Sequence, residues 1–422
     1  MTKVINDAQP EGGAWRNRNF RRLWAGATAS TFGAEIAEIA VPLLALLVLS
    51  ASAAELSALR VAQFLPFLLA TIPLGLLVDR RPASRLRLMI GSDLGRFLLI
   101  ASIPVSVWAG IAGMEMLYVV MFIAGALTVL FQIANFAFLP SLATPDRIVD
   151  ANGKLEATNS ASEIGGRGIG GLMVQALTAP VAVSVNALGY LTSAFFLSRI
   201  RVPAAPLESS ASPKPRIREG FRIAVGSRYI RPLLGEATTY NFFNEIFLIG
   251  ILLWTVRDLQ ISAGLIGLIF TAGGIGSFLG AWFGSRITGR LGYGRVLLVS
   301  LILGNTAPVA ITAADLVGNG VVGLLCSIFF IMGIGIGIAN VHAISLRQIA
   351  LPDHLIGGTN AAYRVISWGA IPIGAAVGGV IASTTSAKTA MIVGAIGIAS
   401  ATLWVAFSAV PRLRSISDVR SE

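Results

Sequence analysis

The sequence predicts an all-α integral membrane protein of twelve transmembrane helices, arranged as two pseudo-symmetric six-helix bundles. Three observations predict it. Six apolar segments precede a polar interruption over residues 199–231 and six follow it. Each is about the ~20 residues that cross a ~30 Å hydrocarbon layer. The interruption carries Pro203, Pro206, Pro213 and Pro215 and the cations Arg199, Arg201, Lys214, Arg216, Arg218, Arg222, Arg228 and Arg231. Of the 32 Lys and Arg, 26 fall at the termini or in loops on one face of this arrangement, the asymmetry expected when basic loops stay cytoplasmic.

Composition excludes other classes. The 422 residues are 55% apolar and 13% charged, with a mean hydropathy of +0.77; a soluble domain carries roughly 25% charged residues. The net charge of +11 raises nucleic acid as a partner, but its confinement to one set of loops reads as topology instead. The expected location is the cell (plasma or inner) membrane, multi-pass, with both termini cytoplasmic. Cys326, the single cysteine, cannot form an intrachain disulfide. The first fifteen residues are polar, so the first span itself is expected to direct insertion.

Taken in order, residues 1–22 form a basic cytoplasmic arm. Residues 23–200 form the first bundle, with spans over 23–49, 56–78, 88–112, 116–139, 154–177 and a sixth ending near 198. A basic turn at 79–87 joins the second span to the third. Residues 201–231 are the cytoplasmic linker, flexible over 202–213. Within it 216–229 is expected as an amphipathic helix, with Ile217, Phe221 and Val225 on one face against the anionic inner leaflet. Residues 232–410 form the second bundle, with spans over 233–256, 263–287, 296–314, 321–346, 359–383 and 390–409. Residues 411–422 are a cytoplasmic tail.

The halves repeat. Ser141-Leu142, Pro145-Asp146, Asn152 and Gly170-Gly171 are echoed by Ser345-Leu346, Pro352-Asp353, Asn360 and Gly378-Gly379. Ile133-Ala134-Asn135 is matched by Ile338-Ala339-Asn340. Two related halves suit a transporter whose substrate sits between them at mid-depth.

The chain also resembles the major facilitator superfamily. Within it, the resemblance is to the macrolide-efflux and enterobactin-export branch of twelve-span drug:proton antiporters. The residues that carry the resemblance are Asn19-Phe20-Arg21-Arg22-Leu23-Trp24-Ala25-Gly26, Gly33-Ala34-Glu35-Ile36, Ala40-Val41-Pro42-Leu43, Gly75-Leu76-Leu77-Val78-Asp79-Arg80, Asp93-Leu94-Gly95-Arg96, Ala151-Asn152-Gly153 and the run 363–374. It implies the major facilitator fold, export and coupling to protons. The chain departs from the pattern at Pro82, where a glycine is usual. It departs again at Arg167, which stands where antiporters of this kind carry proline.

Candidate site residues follow. Gly75, Asp79 and Arg80 resemble a gating motif. Asp79 could dock on amides near Gly358-Thr359-Asn360 and latch the cytoplasmic side, or be a charged turn that only fixes topology. Glu35 and Glu38, three apart in the first span, are proton-coupling candidates; the alternative is a static pair with Arg60 or Arg364. Glu163 and Arg167, four apart, either neutralise each other or line the substrate cavity. Asn241, Asn244, Glu245 and Arg364 are further cavity candidates. Asp93 and Arg96 read as a structural pair with the adjacent loop, and His342 as a packed or bonded residue.

The glycine-rich spans 5, 8 and 10 follow no strand and contain no GxxxxGK[ST], so they read as close-packing surfaces, not nucleotide loops. There is no HExxH, metal cluster or nucleophile elbow, so no metal, cofactor or enzymatic activity is expected. The expected function is proton-coupled efflux of a small amphipathic compound (a drug, antibiotic or siderophore) by a monomer in the lipid bilayer. The alternatives are uptake or uniport of a small or lipid-like solute, a membrane sensor, or an integral-membrane enzyme.

Overall fold

A computed structural model describes residues 15, 17–139, 142, 145–201, 217–351 and 353–415. The expected flexible stretch 202–213 and most of the N-terminal arm lie outside these residues. The chain is an all-helical membrane protein. Its elements are α1 (Arg18–Leu47), α2 (Ala53–Leu69), α3 (Thr71–Arg80), α4 (Arg85–Trp108), α5 (Met114–Phe138), α6 (Pro145–Ala176), α7 (Ala179–Ser198), α8 (Ile217–Gly226), α9 (Ile230–Leu253), α10 (Ala263–Leu291), α11 (Tyr293–Thr306), α12 (Ala314–Val317), α13 (Val321–Ile349), α14 (Asp353–Thr384) and α15 (Ala387–Ala406). Among the described residues ten helices are long and apolar enough to cross a membrane, and the bent pair α2/α3 makes an eleventh. The 32-residue α6 is long enough but polar, which is consistent with a twelfth span packed among α1, α7 and α10.

Local chemistry sets the ends and bends. Asn17 caps α1, its Oδ1 accepting from the amides of Asn19 and Phe20, while its Nδ2 donates to the Leu142 carbonyl at 2.6 Å. Asn19 Nδ2 donates to the Arg201 carbonyl at 2.8 Å. The polar motif before the first span thus ties the start of α1 to the ends of α5 and α7. Ser52 and Glu55 form a capping box on α2. The second span, expected over 56–78, is bent by 48° between α2 and α3. Pro73 has no N–H for the carbonyl of Leu69, so the ladder breaks there.

The two halves meet unevenly. The start of α1, α8 and the described residues after α15 lie at one end of the bundle, called here the basic end. From mid-depth to the opposite, distal end, α2 packs on α14 and α6 on α10. Ser57 Oγ donates to the Ala375 carbonyl at 2.5 Å, the Gly264 amide donates to Gln175 Oε1 at 2.8 Å, and the Arg257 guanidinium reaches the Ala51 carbonyl. Towards the basic end Leu69, Ile72, Leu76 and Phe136 are exposed, and a side chain at Gly75 would meet nothing within 4 Å. The halves are therefore packed tightly at the distal end and more sparsely towards the basic end, where Arg364 meets Gln132 and the Phe67 and Trp368 rings lie 5.3 Å apart.

Glycines allow the closest approaches. A Cβ at Gly333 would strike the Gly273 carbonyl, and one at Gly337 the Ser277 carbonyl, so α10 and α13 touch backbone to backbone.

One expectation is extended and another corrected. The linker helix α8 also packs on α14, a contact the sequence reading did not include. Gly220 abuts the Gly358 backbone of α14, and Ala224 is fully buried with Ala362 and Leu234, leaving Val225 exposed. Small residues at positions 220 and 224 make that side the better packing face. Second, α14 begins at Asp353, so the amides of Gly358, Thr359 and Asn360 lie beyond its first turn and are engaged within the helix. They cannot receive Asp79 as expected.

Replacing Gly337 with valine is expected to destabilise the purified protein by about 1–3 kcal/mol through overpacking. This would register as a lower melting temperature in detergent; an unchanged value would contradict the backbone contact.

Candidate functional site

Arg60, on α2, is the hub. Its Nη1 donates to Glu38 Oε1 of α1 at 2.6 Å and to Gln63 Oε1 at 3.2 Å. On its other edge Nε and Nη2 donate to the two carboxylate oxygens of Glu245 on α9, at 3.2 and 2.9 Å. This fork-on-fork geometry is the strong form of the guanidinium–carboxylate pair, and it joins the two halves. Gln63 Nε2 donates to Glu38 Oε2 at 3.1 Å, and the Phe64 ring lies 4.8 Å from the guanidinium. Arg60 and Glu245 are only 7% and 4% exposed, so neither charge has water to fall back on.

A second cluster lies beside it. Arg167 on α6 donates from Nε to Glu35 Oε2 at 2.9 Å and holds Glu163 Oε1 at 3.4 Å. The two acids of α1 thus turn to different arginines, Glu35 towards α6 and Glu38 towards α2. Gly166 lies against Glu35 Cβ, so a side chain there would displace the acid. Four carboxylates face two guanidiniums across the two clusters, so with every group ionised negative charge exceeds positive by two.

The clusters line a cavity of about 340 Å³ with Tyr240, Asn244, Phe270 and Phe329. Through Tyr240 it adjoins a cavity of about 590 Å³ in the second half, between α9, α11, α13 and α14. On the distal side only about 70 Å³ remains, walled by Ile39, Pro42, Leu248, Leu252 and Phe270. Apolar packing seals the path there.

The sequence candidates divide as follows. Glu35, Glu38, Glu163, Arg167 and Glu245 are brought together, and Asn244 lines the same cavity. Asn241 faces α14, its Nδ2 donating to the Ser367 carbonyl at 2.8 Å. Arg364 balances neither Glu35 nor Glu38. It lies over the Trp368 ring at 4.3 Å and donates to Gln132 of α5. Asp79 and Arg80 are exposed at the end of α3. Asp93 and Arg96 do pair, but not with the loop: Arg96 lies over the Phe131 and Tyr190 rings, at 4.6 and 4.3 Å, of α5 and α7. Burial excludes the solvated loop from that pair. His342 is a bonded core residue, its Nδ1 2.8 Å from the Ile338 carbonyl.

Sequence reasoning weighed Arg60 only as a static partner, and it missed Gln63, Tyr240 and Glu236. Glu236 carried a signal, a carboxylate inside the apolar window that opens the seventh span. Among the described residues no group of three or more His, Cys, Asp or Glu is placed to hold a metal ion.

A family profile described as transmembrane secretion effector matches residues 13–422. The chain belongs to the transmembrane secretion effector family. It is similar to the proposed bacilysin exporter BacE of Bacillus subtilis strain 168, 31% identical over 152 residues. It is also similar to the protein of that description from Bacillus amyloliquefaciens, 30% identical over 152 residues. The match spans about a third of either length, 35% of this chain and 35% of each relative.

The solved nucleoside transporter NupG superposes with a TM-score of 0.72 at 12% identity, covering 92% of this chain and 99% of that one. A D-xylose–proton symporter gives 0.68 at 14% identity, covering 93% and 98%. A bacterial homologue of the iron transporter ferroportin, inward-facing, gives 0.66 at 16%, covering 92% and 98%. At these identities the likeness establishes the fold alone, the major facilitator architecture; that the chain is a membrane transporter follows from its family.

Replacing Arg60 with methionine leaves Glu38 and Glu245 without their shared counter-charge. Loss of one partner of a buried pair costs about 3–5 kcal/mol, expected as a lower melting temperature that a second change, Glu245→Gln, partly restores. Equal melting temperatures for wild type and Arg60→Met would contradict the hub.

Proposed function

We propose that this transporter exports a small amphipathic compound, a drug-, antibiotic- or siderophore-like molecule, against an inward flow of protons. The observation that carries the reading is the surplus of carboxylates around Arg60 and Arg167. A buried acid in excess of its counter-cations is best satisfied by taking up a proton, and the surplus sits on helices of both halves. Protonating Glu245 or Glu38 loosens one arm of the Arg60 fork, and with it the tie that accompanies distal closure. Glu35 and the more exposed Glu163 share Arg167 in a looser pair. Protonation is thereby coupled to which end is open, as antiport by alternating access requires.

In this reading the basic end faces the cytoplasm of the cell that carries the protein in its plasma or inner membrane, because the loops there hold most of the Lys and Arg. The open cavity then faces inward, ready to load cargo. Asp79 and Arg80 are exposed in this state, and a Cβ at Gly75 would meet nothing within 4 Å, as at an opened latch. Export draws further support from the partial likeness to a proposed exporter, and monomeric action from a cavity completed within one chain. No motif points to nucleic acid, a cofactor or a metal.

Two measurements test it. Reconstituted into liposomes with an imposed pH gradient, the protein is expected to move a substrate found by screening, in exchange for protons. Glu35→Gln or Glu38→Gln is expected to cut gradient-driven flux at least tenfold while substrate still binds. Flux that ignores the gradient would favour uniport. Asp79→Ala is expected to insert normally but lose transport, and unchanged transport would remove the latch.

A further inference from the structure

The larger cavity holds charges of both signs that have no ionic partner. Glu236 on α9 accepts one hydrogen bond from Asn305 Nδ2 at 3.1 Å, and the same amide reaches Thr402 Oγ1 at 3.1 Å. Among the described residues no basic side chain lies within ion-pair distance of it. The other buried acids of the spans differ: Glu35, Glu38 and Glu245 each have a guanidinium at 2.9 Å or less.

Across the cavity, Arg347 in the last turn of α13 lies over the Tyr363 ring at 4.0 Å, and its buried Nε has no acceptor. Among the described residues Arg364 lies over the Trp368 ring and donates to the neutral Gln132, with no carboxylate in ion-pair reach. The Tyr363 hydroxyl donates to the Leu233 carbonyl at 2.9 Å, one helical turn before Glu236. The acid and the guanidinium above the ring therefore flank one aromatic side chain without meeting.

A cation in the last turn of a helix offsets the helix dipole, which accounts for the sequence position of Arg347. It does not account for an unpaired acid in the same cavity, nor for two guanidiniums without a carboxylate. Unpaired charge within a membrane is costly and persists where it serves a ligand.

We infer that this cavity of about 590 Å³ binds a small aromatic or amphipathic zwitterion, its ammonium on Glu236, its carboxylate on Arg347 and Arg364, and its body among Tyr240, Tyr363 and Trp368. The ammonium would also lie near the faces of the tyrosines, where cations are favoured. Beside Glu236 stand the neutral Asn305 of α11 and, through the same amide, Thr402 of α15. The inference deepens the transport reading by naming the cargo class, but it concerns binding and needs no gradient.

Binding to the purified protein in lipid nanodiscs, read by tryptophan fluorescence and by thermal shift, tests it with three probes of one shape. These are 4-(aminomethyl)benzoate, its cationic methyl ester and its anionic N-acetyl derivative. The zwitterion is expected to bind at least tenfold tighter than either. Glu236→Gln is expected to abolish its advantage over the anion, and Arg364→Gln or Arg347→Gln to shrink its advantage over the ester. Each variant is scored only if its unliganded melting temperature matches wild type; Arg364, exposed and tied to one neutral amide, provides the variant that folds.

No zwitterion binding at 10 mM, roughly the −3 kcal/mol level, would overturn the inference. So would equal affinity for zwitterion and ester, or a preference that Glu236→Gln and Arg364→Gln both leave intact. Failure of proton-driven flux leaves this binding result untouched, and failure here leaves the carboxylate surplus at Arg60 and Arg167 untouched.

Discussion

One buried guanidinium joins the two halves of this molecule. Arg60 reaches Glu38 within its own half and grips Glu245 of the other with two parallel hydrogen bonds. Such a pair costs desolvation on both sides, so it is weak evidence for stability but strong evidence for specified geometry. It selects one approach of α2 to α9. On the distal side of it, the apolar packing of Leu248, Leu252 and Phe270 closes the path. On the basic side the contacts between the halves thin to Arg364 with Gln132 and Phe67 with Trp368.

The helices are built to permit more than one such approach. Gly171 and Gly267 let the backbones of α6 and α10 lie close, and the Thr271 and Gln175 side chains seat against Gly168 and Gly264; such a small-residue seam favours sliding or rocking over deformation. The bend at Pro73 carries α3 away from α14, leaving Gly75 and Leu76 without a partner. In contrast, the α10–α13 contact lies within one half and belongs to a rigid body. Rigid halves with a polar, adjustable seam are the mechanical minimum for alternating access.

Much of this was legible in the sequence. Hydropathy and the placement of Lys and Arg give the spans, and the repeat around Asn152 and Asn360 gives the two halves. Glu35, Glu38, Glu163, Arg167 and Glu245 stand out because charge inside an apolar window is expensive. What could not be read is who meets whom. Glu38 and Arg60 are 22 residues apart, and Arg60 and Glu245 185 apart, and no local period reports such distances. The contact of the linker helix with α14 was not legible because hydrophobicity draws attention to Phe221 and Val225, whereas packing uses the small Gly220 and Ala224. The Asp79 acceptor was misplaced because the polar run before Gly358 hides the true start of α14. Glu236 escaped because one acid near a span boundary looks like an interfacial residue; only the fold shows it without a cation.

The most direct measurement is the separation of the halves at the basic end. With Cys326 replaced by alanine, spin labels at Leu76 of α3 and Ala361 of α14 report that opening by pulsed electron resonance. If the Arg60–Glu245 pair holds the distal side shut, Glu245→Gln is expected to shift the distribution towards shorter distances, as the distal side opens and the basic end closes. Identical distributions with and without Glu245→Gln, each centred on the open separation, would contradict that role.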